Sequence, residues 1–85
     1  MAERKVTVEA EVGLHARPAA TFVQAASKAV IDVTVAKVNG EPVNAKSILM
    51  ILGLDVRQGE TIVIRADGEG AEELVDELAA IASAP

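Results

Sequence analysis

The 85-residue chain contains no cysteine, tryptophan or tyrosine, and it has one histidine and one phenylalanine. Without cysteine the chain can form neither a disulfide nor a thiolate metal site. A single histidine also excludes a site made of several histidines, so we expect no metal ion and no other cofactor. A chain of this length forms one compact domain, which we expect to span residues 1–85.

Positive charge is also scarce. Eight Lys and Arg residues stand against thirteen Asp and Glu residues, which gives a formal net charge of -5. A nucleic-acid-binding protein needs a basic surface, and proteins that bind single strands usually add aromatic residues on which bases stack. The composition therefore indicates no nucleic-acid partner.

Long apolar runs are missing as well. The chain starts MAERKVTVEAEV, which begins with charges and then alternates, unlike the apolar core of a signal peptide. No other segment approaches the length that spans a bilayer. We expect a cytoplasmic protein with no segment inserted in a membrane.

The apolar residues, which make up 51% of the chain, recur first with the period of a strand and then with that of a helix. Val6, Val8 and Ala10 alternate with polar residues, which predicts a half-buried strand. A helix is predicted from residue 18 to about residue 29. Its apolar positions are Ala19, Phe22, Val23, Ala26 and Val30.

The middle of the chain predicts a hairpin. Alternation returns over residues 31–35, and Asn39-Gly40 is a typical hairpin turn. Pro42 follows this turn. Because proline cannot donate a ladder hydrogen bond, the returning strand is expected to be short or to lie at a sheet edge.

Three further elements complete the pattern. Residues 47–53, SILMILG, fit one or two helical turns with Ser47 as N-cap and Gly53 as C-cap, or alternatively a buried strand. Residues 62–66 alternate as a strand, and residues 67–82 are typical of a closing helix. The order βαββαβα predicts an α+β fold, in which helices cover one antiparallel sheet on a single side.

The only histidine, His15, lies in the segment GLHARP, residues 13–18. No Ser, Thr, Asp or Asn occurs in this segment, so the N–H groups at the start of the first helix lack a side-chain cap. Uncapped N–H groups at a helix start suit an anion such as phosphate. The sequence therefore predicts an anion site at Ala16, Arg17 and Pro18.

Arg17 strengthens this prediction, because its guanidinium offers a fork of donors that matches phosphate oxygens. Positive surroundings also disfavour the protonated form of His15, which keeps a ring nitrogen available as a nucleophile near neutral pH. The spacing alone also fits an ordinary surface histidine beside a solvated arginine.

Three segments, GLHARPAATFVQAASK, VNGEPVNAKSI and GLDVRQG, resemble the HPr family, the histidine-containing phosphocarrier proteins of the bacterial phosphoenolpyruvate-dependent sugar phosphotransferase system. The resemblance covers essentially the whole chain. It implies an open-faced β-sandwich, with a four-stranded antiparallel sheet covered on one side by three helices. It also implies a monomeric carrier rather than an enzyme. His15 would accept a phosphoryl group on Nδ1 from enzyme I and pass it to enzyme IIA domains of sugar permeases, while Arg17 binds the phosphate.

The same resemblance implies two further roles. Ser47 matches the family's regulatory serine, which HPr kinase/phosphorylase phosphorylates in some bacteria and which can then engage a transcriptional regulator. The family docks its partners with the His-bearing helix and the short helix. The docking residues are expected to be Ala16, Ala20, Thr21, Ile48, Leu49 and Leu52. Asp55 departs from the family, since many members have glycine there.

Two alternatives use the same residues differently. One is a regulatory HPr paralogue that acts through phosphorylation of Ser47, with no flux through His15. The other is a carrier that serves a nitrogen-related phosphotransfer branch with different partners. The intact pair of His15 and Arg17 favours a carrier over a purely regulatory protein.

Overall fold

The computed structural model describes residues 1–14 and 16–84. Over these residues, helices and strands follow one another in the predicted order βαββαβα. They are β1 (Ala2–Thr7), α1 (Ala16–Ser27), β2 (Asp32–Lys37), β3 (Val43–Asn44), α2 (Ile48–Gly53), β4 (Thr61–Asp67) and α3 (Ala71–Ser83). The α+β prediction is confirmed.

The strands form one antiparallel sheet in the order β1-β4-β2-β3. β4 is central, and it pairs with β1 from Ala66 opposite Ala2 to Thr61 opposite Thr7. β3 is two residues long and lies at an edge, directly after Pro42. The expectation of a short edge strand is therefore confirmed, since an edge position leaves the missing N–H of the proline without consequence.

The core lies between the covered face of the sheet and the helices. In β4, Ile62, Ile64 and Ala66 are buried, whereas Arg65 between them is exposed on the open face. α3 packs on β1 and β4, α1 packs on α3, and α2 packs on α1. Phe22, the only aromatic residue, is fully buried in α1. Among the described residues no polar or charged side chain is buried.

The predicted bounds of the first helix are wrong at both ends. α1 begins at Ala16 rather than Pro18 and ends at Ser27. The N–H of Ala29 donates to the carbonyl of Ala26 at 3.2 Å, which closes the helix with a tight turn. Val30 therefore lies beyond the helix and is 97% exposed, instead of belonging to the buried face.

The short segment after Ser47 is the helix α2, so the strand alternative is wrong. Ser47 is its N-cap as predicted, because its Oγ accepts a hydrogen bond from the N–H of Met50 at 3.3 Å. Gly53 is not the C-cap. It is the last residue of α2, and the chain continues in a right-handed conformation at Leu54 (φ -66°). The left-handed residue that follows the helix is Asp55, with φ 51°.

Candidate functional site

His15, on which the central site prediction falls, lies outside the described residues. Both of its chain neighbours have a defined place in the fold. Leu14 is buried, and its N–H donates to the carbonyl of Val56 at 3.0 Å. Ala16 is the first residue of α1. The chain on one side of the histidine is therefore held against the segment after α2, and the chain on the other side is held by the helix.

Gly13 makes the first of these attachments possible. Its φ is 76°, a left-handed conformation that L-residues rarely adopt. A Cβ atom on Gly13 would overlap the carbonyl oxygen of Val56 and lie 2.9 Å from the Cα of Arg57. The backbone of residue 13 thus approaches the backbone of residues 56 and 57 more closely than any side chain allows.

Arg17 lies in the first turn of α1, and its side chain is exposed. The Thr21 hydroxyl donates to the Arg17 backbone carbonyl at 3.2 Å, a bond that does not use the guanidinium. Among residues 1–14 and 16–84, this guanidinium makes no hydrogen bond or ion pair. Pro18, the third residue of the helix, has no N–H to donate. Donors for an anion at this helix start therefore come from the backbone of Ala16 and Arg17 and from the Arg17 side chain.

A shallow surface cavity of about 460 Å³ lies beside this helix start. Leu14 and Ala16, the two neighbours of His15, form part of its wall. Leu52 of α2 and the charged residues Asp55 and Arg57 also line it. The cavity therefore lies between the start of α1 and the end of α2.

Arg57 is the site residue that sequence reasoning missed. Its Nη2 donates to Asp55 Oδ2 at 3.0 Å, and this hydrogen bond raises the pKa of Arg57. Its backbone N–H donates to Glu60 Oε1 at 2.8 Å, so its backbone is held in a turn while its side chain is exposed. The segment GLDVRQG contained the residue, but only the folded chain shows that it lies near residues 14 and 16.

Glu60 gives this turn a pH-dependent stability. The backbone N–H of Arg57 lowers the pKa of Glu60 below its ordinary value of 4.5, with a further contribution from Lys37, whose Nζ is 3.3 Å from Oε1; burial opposes both. A lowered folded-state pKa stabilises the protein above the ordinary pKa, and this stabilisation is lost as the pH falls through the folded value.

We therefore expect Glu60→Gln to have a lower free energy of unfolding than wild type at pH values above 4.5, the ordinary pKa of Glu60. The difference is expected to shrink as the pH falls below 4.5. Urea unfolding at a series of pH values from about 3 to about 7 measures this difference. Glu41→Gln, in the exposed turn between β2 and β3, is the control and is expected to leave stability unchanged throughout. A difference that grows on acidification would contradict the assignment.

The apolar residues of α2 divide between the core and the surface. Ile51 is fully buried. The other four form an exposed surface, which we call the α2 patch. It consists of Ile48 (36% exposed), Leu49 (79%), Met50 (47%) and Leu52 (39%). Three of these are predicted docking residues, and Met50 is an addition that the sequence alone did not single out.

The predicted docking residues of α1 are also accessible. Ala16 and Thr21 are exposed and Ala20 is half-buried. α1 and α2 pack against each other, and Ala16 and Leu52 line the same cavity. The predicted docking residues of the two helices therefore lie around one surface, although their role in docking stays a prediction.

Two kinds of feature do not occur in the described part of the chain. None of its helices is both long enough and apolar enough to cross a lipid bilayer. Nor do its acidic and sulfur- or imidazole-bearing side chains gather in a group of three that could hold a metal ion.

Fold and site together define a class of small protein. It is an open-faced β-sandwich that presents an exposed arginine, a shallow cavity and an apolar patch around one turn. Such a surface suits an anion and a protein partner rather than an enclosed substrate.

Comparisons with known proteins identify the family within this class. Residues 2–84 match the family model described as the PTS HPr component phosphorylation site. The chain belongs to this family, the HPr phosphocarriers of the phosphotransferase system.

Three relatives illustrate the match. The phosphocarrier protein HPr of Streptomyces coelicolor is 53% identical over 79 residues, which cover 93% of this chain and 85% of the relative. The HPr-like protein Crh of Bacillus subtilis is 44% identical over 80 residues, 94% of this chain and 93% of Crh. The crystal structure of a phosphocarrier protein HPr from Bacillus anthracis superposes with a TM-score of 0.89 at 41% identity, covering 96% of each chain. The open-faced sandwich expected from the resemblance is therefore confirmed.

Proposed function

We propose that this protein carries a phosphoryl group on Nδ1 of His15, which it accepts from enzyme I and delivers to enzyme IIA domains of sugar permeases. One observation carries the proposal. In a chain of the HPr family, Arg17 lies two residues after the only histidine, at the start of a helix, and its exposed guanidinium has no partner among residues 1–14 and 16–84.

The chemistry follows from these groups. In the neutral imidazole the Nδ1 lone pair attacks phosphorus, and the bond from phosphorus to the donor breaks as the bond to Nδ1 forms. Phosphoryl transfer depends chiefly on positioning and on stabilising the charge of the phosphoryl oxygens. The Arg17 guanidinium and the backbone N–H groups of Ala16 and Arg17 supply that stabilisation. The chain acts as a carrier, since its phosphohistidine is handed on rather than hydrolysed, and it uses no cofactor.

The α2 patch and the exposed residues of α1 form the proposed docking surface for both partners. Ser47 stands at its edge as the N-cap of α2. A phosphate on Ser47 adds close to two negative charges beside the α2 patch and opposes docking by an acidic partner. We include regulation at Ser47, by HPr kinase/phosphorylase and through a transcriptional regulator, in the proposal. The proposed carrier is monomeric and works in the cytoplasm.

The test is transfer from phosphoenolpyruvate. Incubation with phosphoenolpyruvate and enzyme I is expected to add one acid-labile phosphate, seen by intact mass spectrometry. His15→Ala is expected to take up none, because the acceptor nitrogen is gone. Ser47→Ala is the matched control and is expected to be labelled like wild type. Undiminished labelling of His15→Ala would overturn the proposal.

A second candidate is a regulatory protein, which the 44% identity to Crh of Bacillus subtilis supports. In that case phosphorylation of Ser47 is the working event, and His15 takes no part. The same experiment distinguishes the two functions. A regulatory protein gains an acid-stable phosphate from ATP and its kinase but no acid-labile phosphate from enzyme I.

A further inference from the structure

We propose that Arg57 is a second phosphate-binding residue, whose guanidinium leaves Asp55 and binds the phosphoryl group when His15 carries one. This inference rests on the function proposed above, because it requires a phosphohistidine at position 15. It adds a residue that lies forty positions further along the chain from Arg17 and lines the same cavity as Leu14 and Ala16.

The position of Arg57 is set by its backbone. The Leu14 N–H bonds to the Val56 carbonyl at 3.0 Å, and the close approach of Gly13 sets residue 13 against the Arg57 Cα. On the other side, the Arg57 carbonyl accepts the N–H of Glu60 at 3.0 Å. The Cα of Arg57 is thereby held beside the turn that leads to residue 15, and Arg57 lines the same cavity as Leu14 and Ala16.

The side chain of Arg57, by contrast, is free to change partner. It is 77% exposed and bonds to Asp55, whose side chain is 69% exposed, through one nitrogen at 3.0 Å. An exposed pair of this kind contributes little to stability. A phosphoryl group carries close to two negative charges at neutral pH against one on the carboxylate, and it offers three acceptor oxygens. A phosphate can accept two parallel hydrogen bonds from the guanidinium fork, whereas Asp55 accepts one.

The charge of the cavity supports the same exchange. Its charged lining consists of Glu11, Asp55 and Arg57. While Arg57 is bound to Asp55, an incoming dianion faces two carboxylates. When the guanidinium turns to the phosphoryl oxygens, it places its positive charge between those oxygens and Asp55. Arg57 thus offsets the repulsion that the cavity lining otherwise exerts on the phosphohistidine.

Enzyme-free labelling separates this role from docking. Phosphoramidate transfers its phosphoryl group to histidine without a protein donor: its P–N bond breaks, ammonia leaves, and a bond from phosphorus to Nδ1 forms. Titration of the labelled protein by phosphorus NMR then gives the pKa of the second ionisation of the phosphoryl group. A nearby guanidinium lowers this pKa, because it stabilises the dianion.

We expect Arg57→Gln to raise the phosphoryl pKa by about half a pH unit relative to wild type, an amount typical of one screened charge nearby. Arg57→Lys should recover part of the shift, and Asp55→Asn should lower the pKa because it removes the competing carboxylate. Arg65→Gln is the matched control. Arg65 is an exposed arginine bonded to Glu3 at 2.6 Å on the open face of the sheet, and its loss should leave the phosphoryl pKa unchanged.

Two results would overturn the inference. One refutes only the role of Arg57, and the other also refutes the carrier function. If wild type is labelled on His15 but Arg57→Gln titrates like Arg65→Gln, the role of Arg57 is refuted and the carrier function stands. If phosphoramidate and enzyme I both fail to label His15 of wild type, the inference and the carrier function are refuted together. Thermal unfolding of each variant checks that the substitutions leave the fold intact.

Discussion

Replacing Gly13 with alanine is expected to lower the free energy of unfolding by about 3 kcal/mol, a large part of the stability of a small domain. The left-handed φ of 76° costs an alanine about 1–2 kcal/mol. The new Cβ also meets the Val56 carbonyl oxygen and the Arg57 Cα, and backbone atoms cannot move aside as a flexible side chain can. Relief of this overlap breaks the Leu14–Val56 hydrogen bond, which contributes about 1 kcal/mol more.

Urea unfolding measures this loss, and Gly53→Ala is the matched control. Gly53 is the last residue of α2, and apart from its chain neighbours and the backbone of the helix itself no atom lies within 4 Å of a Cβ built there. Alanine is the better helix former, so this control is expected to stabilise the protein by about 0.5–1 kcal/mol. Equal effects of the two substitutions would show that the approach of residue 13 to residues 56 and 57 is unimportant.

Leu49→Asp is expected to reduce phosphoryl transfer from enzyme I at least tenfold at subsaturating concentration, while enzyme-free labelling by phosphoramidate and stability stay at their wild-type values. Leu49 is 79% exposed and is the most accessible residue of the α2 patch. Its substitution therefore leaves the core untouched. If the α2 patch docks enzyme I as proposed, a carboxylate at position 49 loses its water on docking, and about 1.4 kcal/mol already corresponds to a tenfold loss of affinity.

The rate of transfer at increasing carrier concentration shows whether the defect lies in binding. We expect the concentration required for half-maximal rate to rise and the maximal rate to stay close to wild type. Val30→Asp is the control, since Val30 is also apolar and is 97% exposed, outside the α2 patch. An equal defect in both variants would mean that the added charge, and not the α2 patch, causes it.

The sequence predicts the order of the elements because each segment has to bury one face, and the spacing of apolar residues reports that face directly. It predicts the edge position of β3 for a different reason, since Pro42 lacks the N–H that an interior strand would use. Ser47 is predictable as a cap because its bond to Met50 is local. These are all features that a few neighbouring residues determine.

The features that the sequence does not predict depend on contacts between distant segments. Apolar spacing continues through Val30, but α1 ends at Ser27, and nothing in the pattern marks that end. Gly53 is the residue type that usually caps a helix C-terminus. In the structure, however, the residue with a left-handed conformation after α2 is Asp55. Arg57 reaches the cavity only because Gly13 allows two remote backbones to meet.

Asp55 occupies a backbone position that glycine would fit with less strain. Its backbone adopts φ 51°, which glycine accommodates about 1 kcal/mol more easily than an L-residue. A single nucleotide change converts an aspartate codon into a glycine codon, so mutation offers the unstrained alternative repeatedly. That change would also remove the carboxylate that accepts a hydrogen bond from the guanidinium of Arg57, so aspartate and glycine at this position leave Arg57 with different partners.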